Sequence, residues 1–244
     1  EKLTGAPPRY AKNGEGVCAL GSIIKFARAG TPVWGSGSPH KNDRLDPLAD
    51  YRAVRGPLTR DLVLRNGGTC PEVYGDPAWF LPILYNPPIE KTHKTGLILH
   101  YIHEAAEMEV GDEIRRIDIR RLGYDQIEAF LDEMLSCERI ISTSLHGVII
   151  AQAYGIPAAL ATAENSIKQV HGDGIKFRDY FASVGLDGPV PPFDVCLSGV
   201  SDATLPDEIF RQAARKIPLV TLLDAAPFEA LPDCVARARD FDET

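Results

Sequence analysis

Long apolar runs are missing from this 244-residue chain. No stretch approaches the roughly 18 apolar residues that a membrane-spanning helix needs. A basic surplus is missing too: 26 Lys and Arg against 34 Asp and Glu give a net charge of −8, which argues against a nucleic-acid binder with its basic face. An anionic small ligand is not excluded, because a few Arg, Lys or His groups converging locally suffice. Cysteine is sparse. Cys18, Cys70, Cys137, Cys196 and Cys234 are odd in number and far apart. They fit neither a zinc spacing nor a redox pair, a pattern that suits a reducing compartment. There is no repeat of fixed period and no low-complexity segment. The first residue is not Met, and Glu1-Lys2-Leu3-Thr4-Gly5 reads like the last turn of a helix closed by glycine. An upstream strand and most of a helix are therefore expected before it, and a targeting segment is not judged from this start.

What is present is ordinary globular composition, 44% hydrophobic and 25% charged. Short apolar strands alternate with helical stretches, the sign of parallel β-α-β units. Strands are expected at 17–20, 32–34 and 51–54, with a short helix through Ile23, Ile24 and Phe26 after the first. A helix carrying Leu58, Leu62 and Leu64 follows Pro57, a residue suited to a helix start, and ends at Asn66-Gly67-Gly68. Residues 82–88 are Pro-rich and 90–95 are polar, and together they read as a linker. Beyond it, strands are expected at 97–99, 115–119, 139–141 and 158–161. Helices are expected along the Ile127, Phe130, Leu131, Met134, Leu135 face and over 148–154, 176–184 and 206–223.

This pattern predicts an α/β protein of two facing Rossmann-like domains. The expected division is 1–90 for a partial N-terminal domain, 91–205 for the C-terminal domain, and 206–244 for helices packing back toward the first. Ligands of such sheets sit beyond the carboxyl ends of the strands. That rule selects Gly35 to Ser38, Arg55, His100, and Ser142 to His146.

Each candidate has a structural alternative. Gly35-Ser36-Gly37 either lines a ligand with its backbone or makes only a tight turn, since the full dinucleotide fingerprint is missing. Arg55 stands between a strand end and a helix N-terminus, where unpaired amides already favour an anion, and its guanidinium could grip a carboxylate or phosphate. The alternative is a surface pair with Asp50 or Asp61. His146, in a small polar strand-to-helix turn, is either a general acid–base group or a buried capping histidine. His100 carries the same two readings. Lys176 could project toward an anionic ligand, although most such lysines are simply exposed. Asp76 reads as a helix cap, and His93 and His103 as solvated loop residues. No metal cluster stands out.

Taken together, several segments resemble the polysaccharide pyruvyltransferases, particularly the branch that makes bacterial exopolysaccharide ketals. They are Val33-Trp34-Gly35-Ser36-Gly37-Ser38, Val54-Arg55-Gly56-Pro57-Leu58-Thr59, Gly75-Asp76-Pro77-Ala78 and Ser142-Thr143-Ser144-Leu145-His146-Gly147, with Ala153-Tyr154-Gly155-Ile156-Pro157 and 175–181 after them. The resemblance implies a glycosyltransferase-B-like fold, phosphoenolpyruvate as donor without a cofactor or metal, and a hexose hydroxyl pair as acceptor. It implies cytoplasmic work, with peripheral membrane association through a lipid-linked acceptor. It makes Arg55 a donor-binding residue and His146 the histidine of the signature turn; position adds Gly35, Ser36, Gly37, Ser144, Leu145 and Lys176 to the binding candidates and His100 to His146 as a proton-transfer candidate. Some relatives carry Arg where this chain has Ser144, so that contact is either missing or supplied from elsewhere, by Lys176 or Arg178. Two other readings remain open: a nucleotide-sugar glycosyltransferase of similar fold, and a non-catalytic ligand-binding relative.

Overall fold

The computed structural model describes residues 1–9, 11, 16–166, 168–186, 188 and 190–244. Along the chain run β1 (Pro32–Trp34), β2 (Asp50–Ala53), α1 (Pro57–Arg65), α2 (Leu81–Leu84), β3 (His93–Ile98), β4 (Arg115–Ile117), α3 (Tyr124–Leu135) and β5 (Cys137–Ser142). After them come α4 (Leu145–Ala153), β6 (Ala158–Thr162), α5 (Ile175–Ser183), β7 (Phe193–Asp194), α6 (Val195–Ser198), α7 (Leu219–Asp224) and α8 (Pro232–Glu243). They fall into two compact units. Unit 1 takes Glu1–Leu84, Gly172–Gly188 and Ala214–Thr244; unit 2 takes Tyr85–His171 and Pro189–Ala213.

Unit 1 is built on the parallel pair β1 and β2, with Val33 opposite Tyr51. Single parallel bridges, Cys18 to Val33 and Val54 to Tyr74, flank this ribbon. Among the described residues this sheet has two strands, fewer than a Rossmann-like domain contains. The strand expected at 17–20 is reduced to its bridge at Cys18. Val17 and Leu20 are 42% and 50% exposed, and Gly21, at φ +93°, turns the chain away at once. Helix α1 begins with Pro57 as expected; Leu62 and Val63 are its buried apolar residues, while Leu64 faces solvent. Asp76 caps the 3-10 turn Pro77–Phe80, its carboxylate accepting from the Ala78 N–H at 3.0 Å.

Unit 2 holds a five-stranded all-parallel sheet in the order β4-β3-β5-β6-β7. Relabelled from the first strand this is 2-1-3-4-5, the flavodoxin-like order, which reverses between the first and third strands. Strands β3 and β5 are buried over their last four residues, as inner parallel strands covered on both faces must be. Most of α4 is buried, so its apolar residues run around the helix and not along one stripe.

Three sequence expectations change here. The polar segment 90–95 is not all linker: His93 already pairs with Cys137 in β3, and Thr95 is fully buried. A single helix over 206–223 does not form. Pro218 interrupts it, and before that Arg211 leaves helical geometry to pair with Ala158, so that a 3-10 turn Asp207–Ile209 and α7 are what remain. His93 lies in β3, and His103 is 1% exposed, so neither is a solvated loop residue.

Candidate functional site

In unit 1 the carboxyl ends of the parallel segments converge. The Ser36 hydroxyl donates to the Gly21 carbonyl, the Gly35 N–H to the Ala53 carbonyl, and the Arg55 N–H to the Ser36 carbonyl. Arg55 itself is fully buried. Its guanidinium donates to the Ser22 hydroxyl at 3.0 Å and reaches the Ser38 carbonyl at 3.5 Å. Its Nε lies 3.5 Å from the Asp179 carboxylate, an ion pair without the alignment of a hydrogen bond. Gly37 is a glycine for a local reason: any Cβ there would strike the Arg55 guanidinium. Gly35, at φ +86°, would place a Cβ 2.7 Å from the Gly75 carbonyl. These glycines make room for protein atoms.

Asp179, on α5, is also fully buried. One carboxylate oxygen accepts from the Thr59 N–H at 2.8 Å, and the other from the Thr59 hydroxyl at 2.6 Å. Thr59 is the third residue of α1, so a carboxylate from another helix caps the α1 N-terminus. Burial pushes the Asp179 carboxyl above its ordinary value, against the pull of Arg55 and the Thr59 and Leu58 hydrogen bonds. Asp179 thus places one of the protein's own anions beside Arg55 at this helix start. Arg55 pairs with neither Asp50 nor Asp61. Lys176, in the first turn of α5, is 8% exposed, and burial together with the charge of Arg55 pulls its ammonium down to about 8.

In unit 2 the strand order reverses between β3 and β5, the place where a parallel sheet opens a crevice beyond its carboxyl ends. His100 and Ser142 to His146 sit at that reversal. The His100 N–H donates to the Thr143 hydroxyl at 2.8 Å, and the Thr143 N–H to the Ile98 carbonyl at 3.1 Å. Ser142 Oγ accepts the Ser144 N–H at 3.0 Å. Ser144 is the N-cap residue of α4 but makes no side-chain capping bond, so the first N–H groups of this nine-residue helix, those of Leu145, His146 and Gly147, are not capped by it. The Leu145 side chain is buried, which leaves its N–H as the group able to meet a ligand. His146 is half-buried in the first helical turn. At Gly147 α4 packs closely on Ser142 and Ile98, which a Cβ there would strike. His100 Nδ1 accepts from the Ile102 N–H at 3.4 Å, so this histidine caps the 3-10 turn Tyr101–His103. That bond assigns the lone pair to Nδ1 and the proton to Nε2 in the neutral ring.

A family model described as polysaccharide pyruvyl transferase matches residues 29–162, more than half of the chain. The chain belongs to the polysaccharide pyruvyl transferase family. The matched region of this pyruvyl transferase family member takes in Gly35 to Gly37, Arg55, His100 and Ser144 to His146, and stops before Lys176 and Asp179. An uncharacterized protein of Acanthamoeba polyphaga mimivirus is 28% identical over 177 residues, covering 69% of this chain. The chain spans 60% of that relative's length. No solved structure matches it.

Asp179 escaped the sequence reading. Its signal was an acid on the inward face of a short helix, at the spacing of Ile175, Lys176 and Tyr180, where a buried charge needs a partner. Arg139 escaped it as well: a β5 arginine 7% exposed, bonded to Thr95 at 2.8 Å, paired with Asp202 and Asp207, and lying 4.2 Å over the Phe210 ring. His103 is held beneath its loop, where burial lowers its pKa. Among the described residues no His, Cys, Asp and Glu group is arranged to hold a metal ion, and no helix is long and apolar enough to cross a membrane.

Proposed function

We propose that this chain transfers the pyruvyl group of phosphoenolpyruvate to two hydroxyls of a hexose as a ketal, releasing phosphate. Its membership of the family supports pyruvyl transfer. The observation that carries the reading at the level of residues is His146 in the first turn of α4, beyond the reversal of the sheet. Ketal formation needs a proton delivered to the methylene carbon and attack of one sugar oxygen at the neighbouring carbon. A second sugar oxygen then displaces phosphate, and each hydroxyl gives up its proton. An imidazole near neutral pKa suits both directions of proton transfer. The N–H groups of Leu145, His146 and Gly147 suit an anion, because a helix start concentrates donors and positive potential. His100, held at the same strand end by its N–H bond to the Thr143 hydroxyl, is the second proton carrier of this reading.

Within unit 1, Lys176 stays mostly protonated at neutral pH and is a cation of the kind an anionic donor needs. Arg55 holds the strand-end loop 35–38 of unit 1 through Ser22 and Ser38, with Asp179 as its counter-charge. A lipid-linked saccharide as acceptor would bring the protein to a membrane face as a peripheral partner.

The test is phosphate release from phosphoenolpyruvate with hexoside acceptors. His146→Gln should lower turnover by about 10²–10⁴-fold, the usual share of a general acid–base group, and leave the melting temperature nearly unchanged. A sharp fall in melting with the specific rate of the folded fraction preserved makes His146 a packing residue. Release of a nucleotide from a sugar nucleotide, without phosphate release from phosphoenolpyruvate, identifies a glycosyltransferase instead. Ligand binding with no turnover at all identifies a non-catalytic relative.

A further inference from the structure

Unit 2 contains an open cavity of about 1040 Å³ that none of the sequence-predicted residues lines. Its walls come from residues between 102 and 109, from Asn165, Ser166 and Lys168, and from 196–199. These segments follow β3, β6 and β7, so the cavity lies at the carboxyl edge of the sheet, where ligands of parallel sheets bind. It is joined to the catalytic candidates through one residue. Ile102, in its wall, donates its N–H to His100 Nδ1.

The walls are fastened to one another. Val110 and Val200 form a bridge in which the Gly111 N–H donates to the Val200 carbonyl at 2.8 Å, and the Val200 N–H to the Glu109 carbonyl at 2.7 Å. The hollow is therefore part of the fold.

Size and chemistry identify an occupant. Small-ligand sites run from about 300 to 1,000 Å³, so phosphoenolpyruvate would leave most of this volume empty. Glu107 and Glu109 outnumber Lys168 in the lining, which sets a repulsive cost on an anionic ligand. Carboxylates and the Asn165 amide are good partners for hydroxyls, while Met108 and Leu197 offer apolar surface to the face of a ring. We infer that this cavity is the acceptor subsite, and that it takes a neutral saccharide of more than one ring. The inference rests on the pyruvyl-transfer reading and adds to it where the acceptor sits and which charge it carries.

The test is saturation-transfer NMR on the full chain with neutral disaccharides, cellobiose and lactose among them, and glucuronic acid beside them. Neutral disaccharides should bind at least tenfold more tightly than the uronic acid. Ser198→Trp, which fills the cavity mouth from an exposed position, and the double change Glu107→Gln, Glu109→Gln should each weaken disaccharide binding at least tenfold. Phosphoenolpyruvate binding should stay unchanged, and circular dichroism should show the fold intact. Equal binding of glucuronic acid, full disaccharide binding in Ser198→Trp, or no binding of any disaccharide overturns the inference. Disaccharide binding that Ser198→Trp abolishes, without phosphate release from phosphoenolpyruvate, keeps the cavity as a saccharide site and refutes pyruvyl transfer. Disaccharide-dependent phosphate release that persists undiminished in Ser198→Trp does the reverse.

Discussion

Replacing Arg55 by Ala should destabilise unit 1 far more than a surface arginine could. The guanidinium is fully buried and its charge is balanced by Asp179, itself fully buried. Removing one partner of such a pair leaves the other charge uncompensated, at a cost of about 3–5 kcal/mol. Asp179 keeps its Thr59 hydrogen bonds in the variant, which limits the loss, but the Ser38 carbonyl loses a donor and a cavity opens beside Gly37. The expected cost therefore stays near the lower half of that range. Asp179→Ala should cost more than Arg55→Ala, since it strips the cap from α1 as well, a further loss of about 1 kcal/mol. Because the two side chains share one interaction, the double variant should be better than the sum of the singles by about 1–3 kcal/mol. Both tryptophans, Trp34 and Trp79, are buried in unit 1, so the urea midpoint of tryptophan emission reports this unit alone. A loss below about 1 kcal/mol for Arg55→Ala, or strict additivity, would refute the buried-pair account.

Two further outcomes follow from close contacts and burial. Gly147→Ala should destabilise unit 2 by about 1–3 kcal/mol through overpacking on Ser142 and Ile98, more than the gain of up to about 1 kcal/mol from better helix propensity; a rise in melting temperature would contradict it. Lys176 has its folded pKa lowered from 10.5 to about 8, so between those values the unfolded chain holds a proton that the folded chain has released, and stability rises with pH. Lys176→Met should therefore lead the wild type at pH 7 and lose that margin toward pH 10 in urea titrations followed by tryptophan emission; a margin independent of pH would mean a solvated lysine.

The sequence made strand ends legible because local signals mark them. Glycine, proline and small polar residues follow apolar runs at Trp34, Val54 and Ser142, and the structure turns the chain there. The helix starts at Pro57 and Leu145 were readable for the same reason. What local pattern could not show was the partner of each charge. Arg55 and Asp179 are 124 positions apart in a chain whose surface offers Asp50 and Asp61 nearer by, and burial alone decides between them. Nor does alternation mark where a helix serves a different unit from its neighbours, as α5 does between β6 and β7. His103 looked solvated because it lies between strands in a loop; its burial comes from the packing of that loop. The cavity at 102–109 and 196–199 was invisible for a related reason, since loops that build walls carry no periodicity.

The interleaving of the units sets an order of events on the ribosome. Every residue of unit 2 has been made once Ala213 is added, whereas unit 1 waits for Thr244. Helix α1 emerges without its cap, because the carboxylate that bonds Thr59 is encoded 120 residues later. At about 5–20 residues per second that interval is roughly 6–24 s. Trp34 waits longer still for the Leu222 carbonyl that accepts its indole N–H. Throughout that time the β1 and β2 ribbon lacks its closing helices and its internal anion. Cutting the gene at residue 84 or 171 would make this state permanent, so neither contiguous half is a route to a folded unit 1.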